Sequence, residues 1–191
     1  MKHFRISVLA LTTMAIFSSC SDDDATVMPV NEEEVITTVT AILTPVGGGN
    51  AVTLTSRDLD GDGPNDPVNT ISGTITAGTT YNGTVRFLNE LANPAEDISL
   101  EIEQEGDEHQ IFFVQTGNLG TFTYTDTDVN GKPVGLEFKY STAASPATGL
   151  LQIVLRHEPN KDGNGVSGGS ITNAGGSTDA EVKFSISVVT P

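Results

Sequence analysis

The sequence predicts an antiparallel all-β domain carrying one short helix, and three observations predict it. Nine short segments alternate apolar and polar side chains with period two, the pattern of a half-buried strand. Clusters of Gly and Asn, which accept the positive φ of tight turns, separate most of them. The composition agrees: with 18% charged residues, 6% aromatics and 20 glycines, the chain fits neither a disordered acidic tail nor a helical bundle.

The chain starts with a segment that is not part of this domain. Lys2, His3 and Arg5 form a basic start, and residues 6–17 form an apolar run of signal-peptide length, shorter than the roughly 20 residues of a bilayer span. The run ends in Phe17-Ser18-Ser19-Cys20, which resembles the lipobox of bacterial lipoproteins. That resemblance implies cleavage before the chain's single cysteine and a lipid on the Cys20 thiol. The following Ser21-Asp22-Asp23-Asp24 resembles the acidic tether of surface-exported lipoproteins of Bacteroidota. The expected organisation is therefore a signal peptide over 1–19, a lipid-anchored acidic tether over 20–34, and a single β domain over 35–191. The expected location is the outer membrane with the domain on the cell surface, the periplasmic face being the alternative.

Charge narrows the partners. There are 25 acidic and 9 basic side chains, a formal net charge of −16, and losing residues 1–19 removes Lys2 and Arg5 but no acid. Such a chain repels phosphate backbones, which excludes nucleic acid, and it repels anionic headgroups, so that the lipid alone would hold it to the membrane.

Strands are expected at 35–43, 51–56, 70–76, 81–88, 110–115, 121–125, 136–140, 150–156 and 181–189. Turns between them are expected at Gly47-Gly48-Gly49-Asn50, Ala77-Gly78-Thr79, Asn118-Leu119-Gly120, Asn130-Gly131 and Ala147-Thr148-Gly149. The exception is Asn93-Pro94-Ala95-Glu96, whose Asn can cap, whose Pro fits a first helical position and whose Glu can close a capping box. A helix from Pro94 to about Glu105 is expected, against the rival that Ile98, Leu100 and Ile102 alternate as a strand would. Nine short strands suggest an immunoglobulin-like sandwich, with an up-and-down barrel as the alternative.

Three loops carry spaced oxygen ligands. Residues 58–66 (DLDGDGPND) place Asp58, Asp60, Asp62 and Asp66 around two glycines and resemble calcium loops of the thrombospondin type 3 and dockerin kind. Asn69 stands where the bidentate acid of such loops is usual, and calcium here would stiffen the fold. A second loop, Asp126-Thr127-Asp128-Val129-Asn130-Gly131 with Glu137, fits the calcium pattern in spacing. Strand parity sends Asp126 and Glu137 to opposite faces, which leaves a hairpin turn. Asn160, Asp162 and Asn164 form a weaker echo.

The histidines of the mature chain, His109 and His157, each lie beside carboxylates. They read first as surface residues at strand ends, and as a zinc, copper or haem-iron site if the fold brings them together. No nucleophile elbow, phosphate loop or His-Glu-x-x-His helix is present, and no enzymatic activity is expected.

Residues 59–63 (LDGDG), 94–97 (PAED), 105–113 (EGDEHQIFF), 135–138 (GLEF), 155–161 (LRHEPNK) and 171–176 (ITNAGG) resemble a group of small Bacteroidota lipoproteins described as type 1 periplasmic binding proteins. That name implies a two-lobed α/β fold, for which this strand-rich pattern supplies too few helices. What the resemblance implies is an exported, ligand-binding lipoprotein. Two functions follow as expectations: a non-enzymatic adhesion or accessory module that presents loops to a protein or glycan, and a carrier of a small ligand, metal or haem.

Overall fold

A computed structural model describes residues 34–61 and 63–191. The expected signal peptide, the lipidation site Cys20, all of the tether but Glu34, and Asp62 of the acidic loop lie outside the described residues. The domain is mainly β, with two sheets and one short helix. Its strands are β1 (Thr38–Pro45), β2 (Val52–Arg57), β3 (Val68–Ser72), β4 (Ile75–Thr76), β5 (Thr80–Asn89), β6 (Glu96–Asp97), β7 (His109–Gln115), β8 (Gly120–Tyr124), β9 (Glu137–Thr142), β10 (Ala147–His157) and β11 (Ser177–Val189). The first sheet runs β3-β2-β1-β5-β9-β8, with β6 added beside β5; the second runs β4-β11-β10-β7.

Eight of the nine expected segments are single strands; the ninth, 70–76, breaks at Gly73 into β3 and β4, which belong to different sheets, and β3 is exposed along its whole length. In β5, Tyr81, Gly83, Val85 and Phe87 are buried while Asn82, Thr84 and Arg86 face out; in β11, Phe184, Ile186 and Val188 alternate with exposed residues in the same way. Both sheets contribute to one core, in which Leu54, Phe87 and Phe138 meet Ile111, Leu155 and Phe184. Gly83 lies opposite Phe138 on β9, and the ring occupies the space where a Cβ would stand, 2.3 Å away.

Connections depart from the expected run of hairpins. Ala77-Gly78-Thr79 and the segment at Leu119 carry the chain from the second sheet to the first, because β4 and β7 lie in one sheet and β5 and β8 in the other. Ala147-Thr148-Gly149 is no turn but the start of β10, paired with β11 from Ala147↔Val188 onward. The helix α1 spans Ser99–Gln104 rather than starting at Pro94. Glu96 and Asp97 are held extended against Leu88 and Asn89 of β5, and Arg86 pairs with Asp97 at 2.8 Å, so the coil begins only after them. Helical spacing then decides burial: Ile98 and Ile102 are buried, and Leu100 between them is exposed.

The β10–β11 connection folds back over the outer face of the second sheet. Its Val166 and Ala174 pack with Phe112 and Val154 in a second small core, which explains why β7 is buried on both faces near its start. This connection, the β2–β3 loop, the β8–β9 loop and the start of β1 all gather at one end of the two sheets.

Candidate metal centre

At that end the sheet register brings the two histidines together. His109 opens β7, His157 closes β10, and the antiparallel ladder pairs them directly. Their rings meet edge to face with centroids 4.7 Å apart. The expectation of surface histidines is thus corrected: both point along the inner face of the second sheet, in phase with Ile111 and Leu155, and are buried.

Two carboxylates complete the group. Asp179 owes its position to a β-bulge: Leu155 pairs with Ala180 and Arg156 with Thr178, so Asp179 is an extra residue on β11. A regular register would set Asp179 opposite Arg156, on the outer face; the bulge re-aims it toward the histidines. Glu34, just ahead of β1, reaches in from the opposite side. The side chains of Glu34, His109, His157 and Asp179 are 7%, 0%, 5% and 6% exposed. One ligand atom from each lies within 4.8 Å of all the others, a group that can hold a metal ion.

Atom by atom, the arrangement is suited to a cation. His109 Nδ1 is 3.1 Å from the Glu105 carbonyl, which can only accept, so Nδ1 carries the hydrogen. In the neutral ring the Nε2 lone pair then faces Glu34 Oε1 at 3.1 Å and Asp179 Oδ2 at 3.9 Å. A lone pair facing carboxylate oxygens needs a proton or a metal ion between them. Orientation of a ligating imidazole by a backbone carbonyl on its other nitrogen is the usual support of such a ligand. His157 Nδ1 is buried, makes no hydrogen bond and stands 3.8 Å from Asp179 Oδ2. Donors on a tetrahedral ion with bonds of about 2.0–2.1 Å are separated by about 3.3–3.4 Å; three of the six separations here are 3.1, 3.9 and 3.8 Å, and all lie within 4.8 Å.

A backbone contact fixes the His157 end. Gly176 has φ +69°, and a Cβ there would stand 2.1 Å from the His157 carbonyl oxygen, so no larger residue allows this close pass of β11 over β10.

The oxygen-rich loops are arranged differently. Asp58 Oδ1 accepts the N–H groups of Asp60 and Gly61, and Asp60 Oδ2 accepts both the backbone and side-chain N–H of Asn65. The Asn65 contact holds the Asp60 carboxyl below its ordinary value. The β2–β3 loop carries these residues at its exposed tip together with Asp66, and Asp58 and Asp179 line one open groove of about 400 Å³. In the β8–β9 loop, Asp126 accepts N–H groups from Gly135 and Glu137, while Asp128 accepts from Asn130 and Lys132 and pairs with buried Lys161 at 2.9 Å. Its carboxylates are engaged by the protein itself. Asp162 of the third loop pairs with Lys132 at 2.5 Å.

A cleft of about 240 Å³ also opens where the edges β7 and β8 face each other, lined by Phe113, Phe122 and Tyr124. It is smaller than the roughly 300–1,000 Å³ usual for ligand pockets. Comparison of the chain with protein-family models, curated proteins and solved structures finds no match.

Sequence reasoning picked out His109 and His157 but missed Glu34, read as tether, and Asp179, which no motif marks. The one available signal for Asp179 is the broken alternation at Ser177-Thr178-Asp179-Ala180 ahead of regular β11.

Proposed function

We propose that this chain is a non-enzymatic, exported lipoprotein whose buried Glu34, His109, His157 and Asp179 hold one transition-metal ion of the zinc class. The observation that carries the reading is the convergence of two imidazoles and two carboxylates, all less than a tenth exposed, on one point. Imidazole donors suit zinc, copper, nickel and iron, whereas calcium is held by oxygen alone. Four protein donors fill a tetrahedral shell and leave no open position for substrate, which favours holding the ion over catalysis. Haem does not suit this site, since two rings in edge contact leave no room for a porphyrin between them.

The lipobox-like Cys20 supports attachment to the outer membrane through lipid. Glu34 is the last residue of the expected tether, so an ion bound here would fasten the tethered end to β7, β10 and β11. Two sheets with free edges sharing one core support an immunoglobulin-like sandwich over a closed barrel.

A calcium-stiffened adhesion module is the second reading. It is favoured by the exposed β2–β3 loop, whose Asp58 borders the same groove as Asp179 and could present that groove to a protein or glycan.

The test of the first reading is a thermal melt of the mature chain, stripped of metal and then given zinc. Zinc at about 100 times its dissociation constant stabilises by about 2.7 kcal/mol, a rise of roughly 5–11 °C for a domain of this size. His109→Ala should remove that rise. Identical melts in zinc and in chelator would overturn the reading.

A further inference from the structure

His157 faces two ways. Its Nδ1 is turned toward Asp179 of the buried group, and its Nε2 is turned toward Glu108 Oε2 at 4.0 Å, longer than a hydrogen bond. Glu108, His157 and Glu158 each offer a ligand atom within 4.8 Å of the other two, and both carboxylates are exposed to solvent. Two carboxylates this close repel each other unless a cation lies between them.

The backbone around this second group is shaped to bring them together. Glu158 is the one non-glycine residue with positive φ among the described residues, at 47°. A left-handed residue reverses the course of the chain directly after His157, and the Glu158 N–H is tied to the Glu108 carbonyl oxygen at 2.6 Å. Had β10 continued extended, Glu158 would have left on the face opposite His157. The unusual conformation instead keeps its carboxylate beside Glu108 and the outward nitrogen of the ring.

We propose that Glu108, His157 and Glu158 form a second, solvent-facing metal site, and that the His157 ring bridges it to the buried one. The inference rests on the buried site only in sharing His157, and the ion class is the same because the shared donor is imidazole. With three protein donors the outer ion keeps an open, water-filled position and two exposed, mobile ligands. It is therefore the weaker of the two. Binding the outer ion at Nε2 displaces the ring's remaining N–H proton to water, and the resulting imidazolate donates one lone pair from each nitrogen, so the ring can serve both ions at once.

The experiment is a titration of the metal-free mature chain with cobalt(II) and with zinc, followed by visible absorption and by equilibrium dialysis. Wild type should bind two ions, the second at least tenfold more weakly. The Glu108→Gln/Glu158→Gln double variant, altered only at exposed positions, should bind one ion with its tight affinity changed less than threefold. His109→Ala should lose the tight ion and keep the weak one, and His157→Asn should lose both, with circular dichroism confirming that each variant is folded. A double Gln variant that still binds two ions overturns the outer site, as does a wild type that binds a single ion indifferent to Glu108 and Glu158. Retention of the tight ion by His109→Ala would overturn the buried site instead, while the double Gln variant still decides the outer one.

Discussion

Lys161 is the side chain whose removal should do most damage per atom. Its ammonium is buried and all three of its hydrogens are committed, to the carbonyl oxygens of Gly106 and Pro133 and to Asp128 Oδ2. Burial pushes this ammonium below its ordinary pKa against the raising effect of Asp128. The pair is thus costly to assemble and costlier to break. Lys161→Met leaves Asp128, whose side chain is 1% exposed, with only the N–H groups of Asn130 and Lys132. Removing one partner of a buried pair costs about 3–5 kcal/mol, which for a domain of this length lowers Tm by roughly 6–20 °C. Adding Asp128→Asn should restore part of the loss, because the uncompensated charge goes with it. The latch also joins the turn before His109 to the segment after His157, so Lys161→Met should weaken zinc binding along with stability. Acid adds a check. Burial raises the Asp128 pKa, but the Lys161 and backbone hydrogen bonds outweigh it, and its folded pKa lies below the ordinary value. Its contribution is present above about pH 3.9 and is lost as pH falls through the folded pKa. Asp128→Asn should remove that part of the acid dependence. A Lys161→Met protein melting within about 2 °C of wild type would refute this reasoning.

Gly83→Ala should cost about 1–3 kcal/mol by forcing a methyl into the Phe138 ring, measurable as a lower urea midpoint with unchanged slope. Glu90 is held down to about 2 by hydrogen bonds from Arg57 and Thr38. Its stabilising effect should fade as pH falls from about 4.5 to about 2, and Thr38→Val should raise its titration midpoint in a carboxyl NMR series. If the β2–β3 loop binds calcium, excess calcium should raise Tm by a few degrees over chelator and Asp60→Ala should erase that difference; equal melts would leave the loop a solvated turn. Intact-mass analysis of membrane-extracted protein should find acyl chains on Cys20, and Cys20→Ala should move the protein out of the membrane fraction.

The strands were legible because burial on one face writes period two directly into the residues, as Phe138 and Tyr140 against Glu137 and Lys139 show. Which strand sits beside which was legible only in part: β1–β2, β2–β3, β8–β9 and β10–β11 pair in chain order, whereas the chain changes sheet between β4 and β5 and between β7 and β8. Gly78 and Gly120 look like hairpin glycines, yet here they carry the chain between sheets, since a positive φ serves either purpose. The helix start was misplaced for a related reason. The capping pattern at Asn93 is local, whereas the pairing of Glu96 and Asp97 with β5 is a contact across the fold, and it holds that stretch extended.

The candidate metal group fails to show in the sequence on a different ground. A motif is visible when its ligands share one loop or one helix face, as in the aspartates of residues 58–66. Here the four donors come from positions 34, 109, 157 and 179, and each spacing is set by a register rather than by a turn. His109 and His157 meet because β7 and β10 pair from that end. Asp179 joins them because one residue is inserted into β11, a one-residue event that reverses which face a side chain takes. Remove the bulge, and the carboxylate moves to the outer face while every residue from Ala180 onward can keep its place. The bulge is thus dispensable for the core packing of β11 but necessary for bringing the Asp179 carboxylate to the candidate metal group.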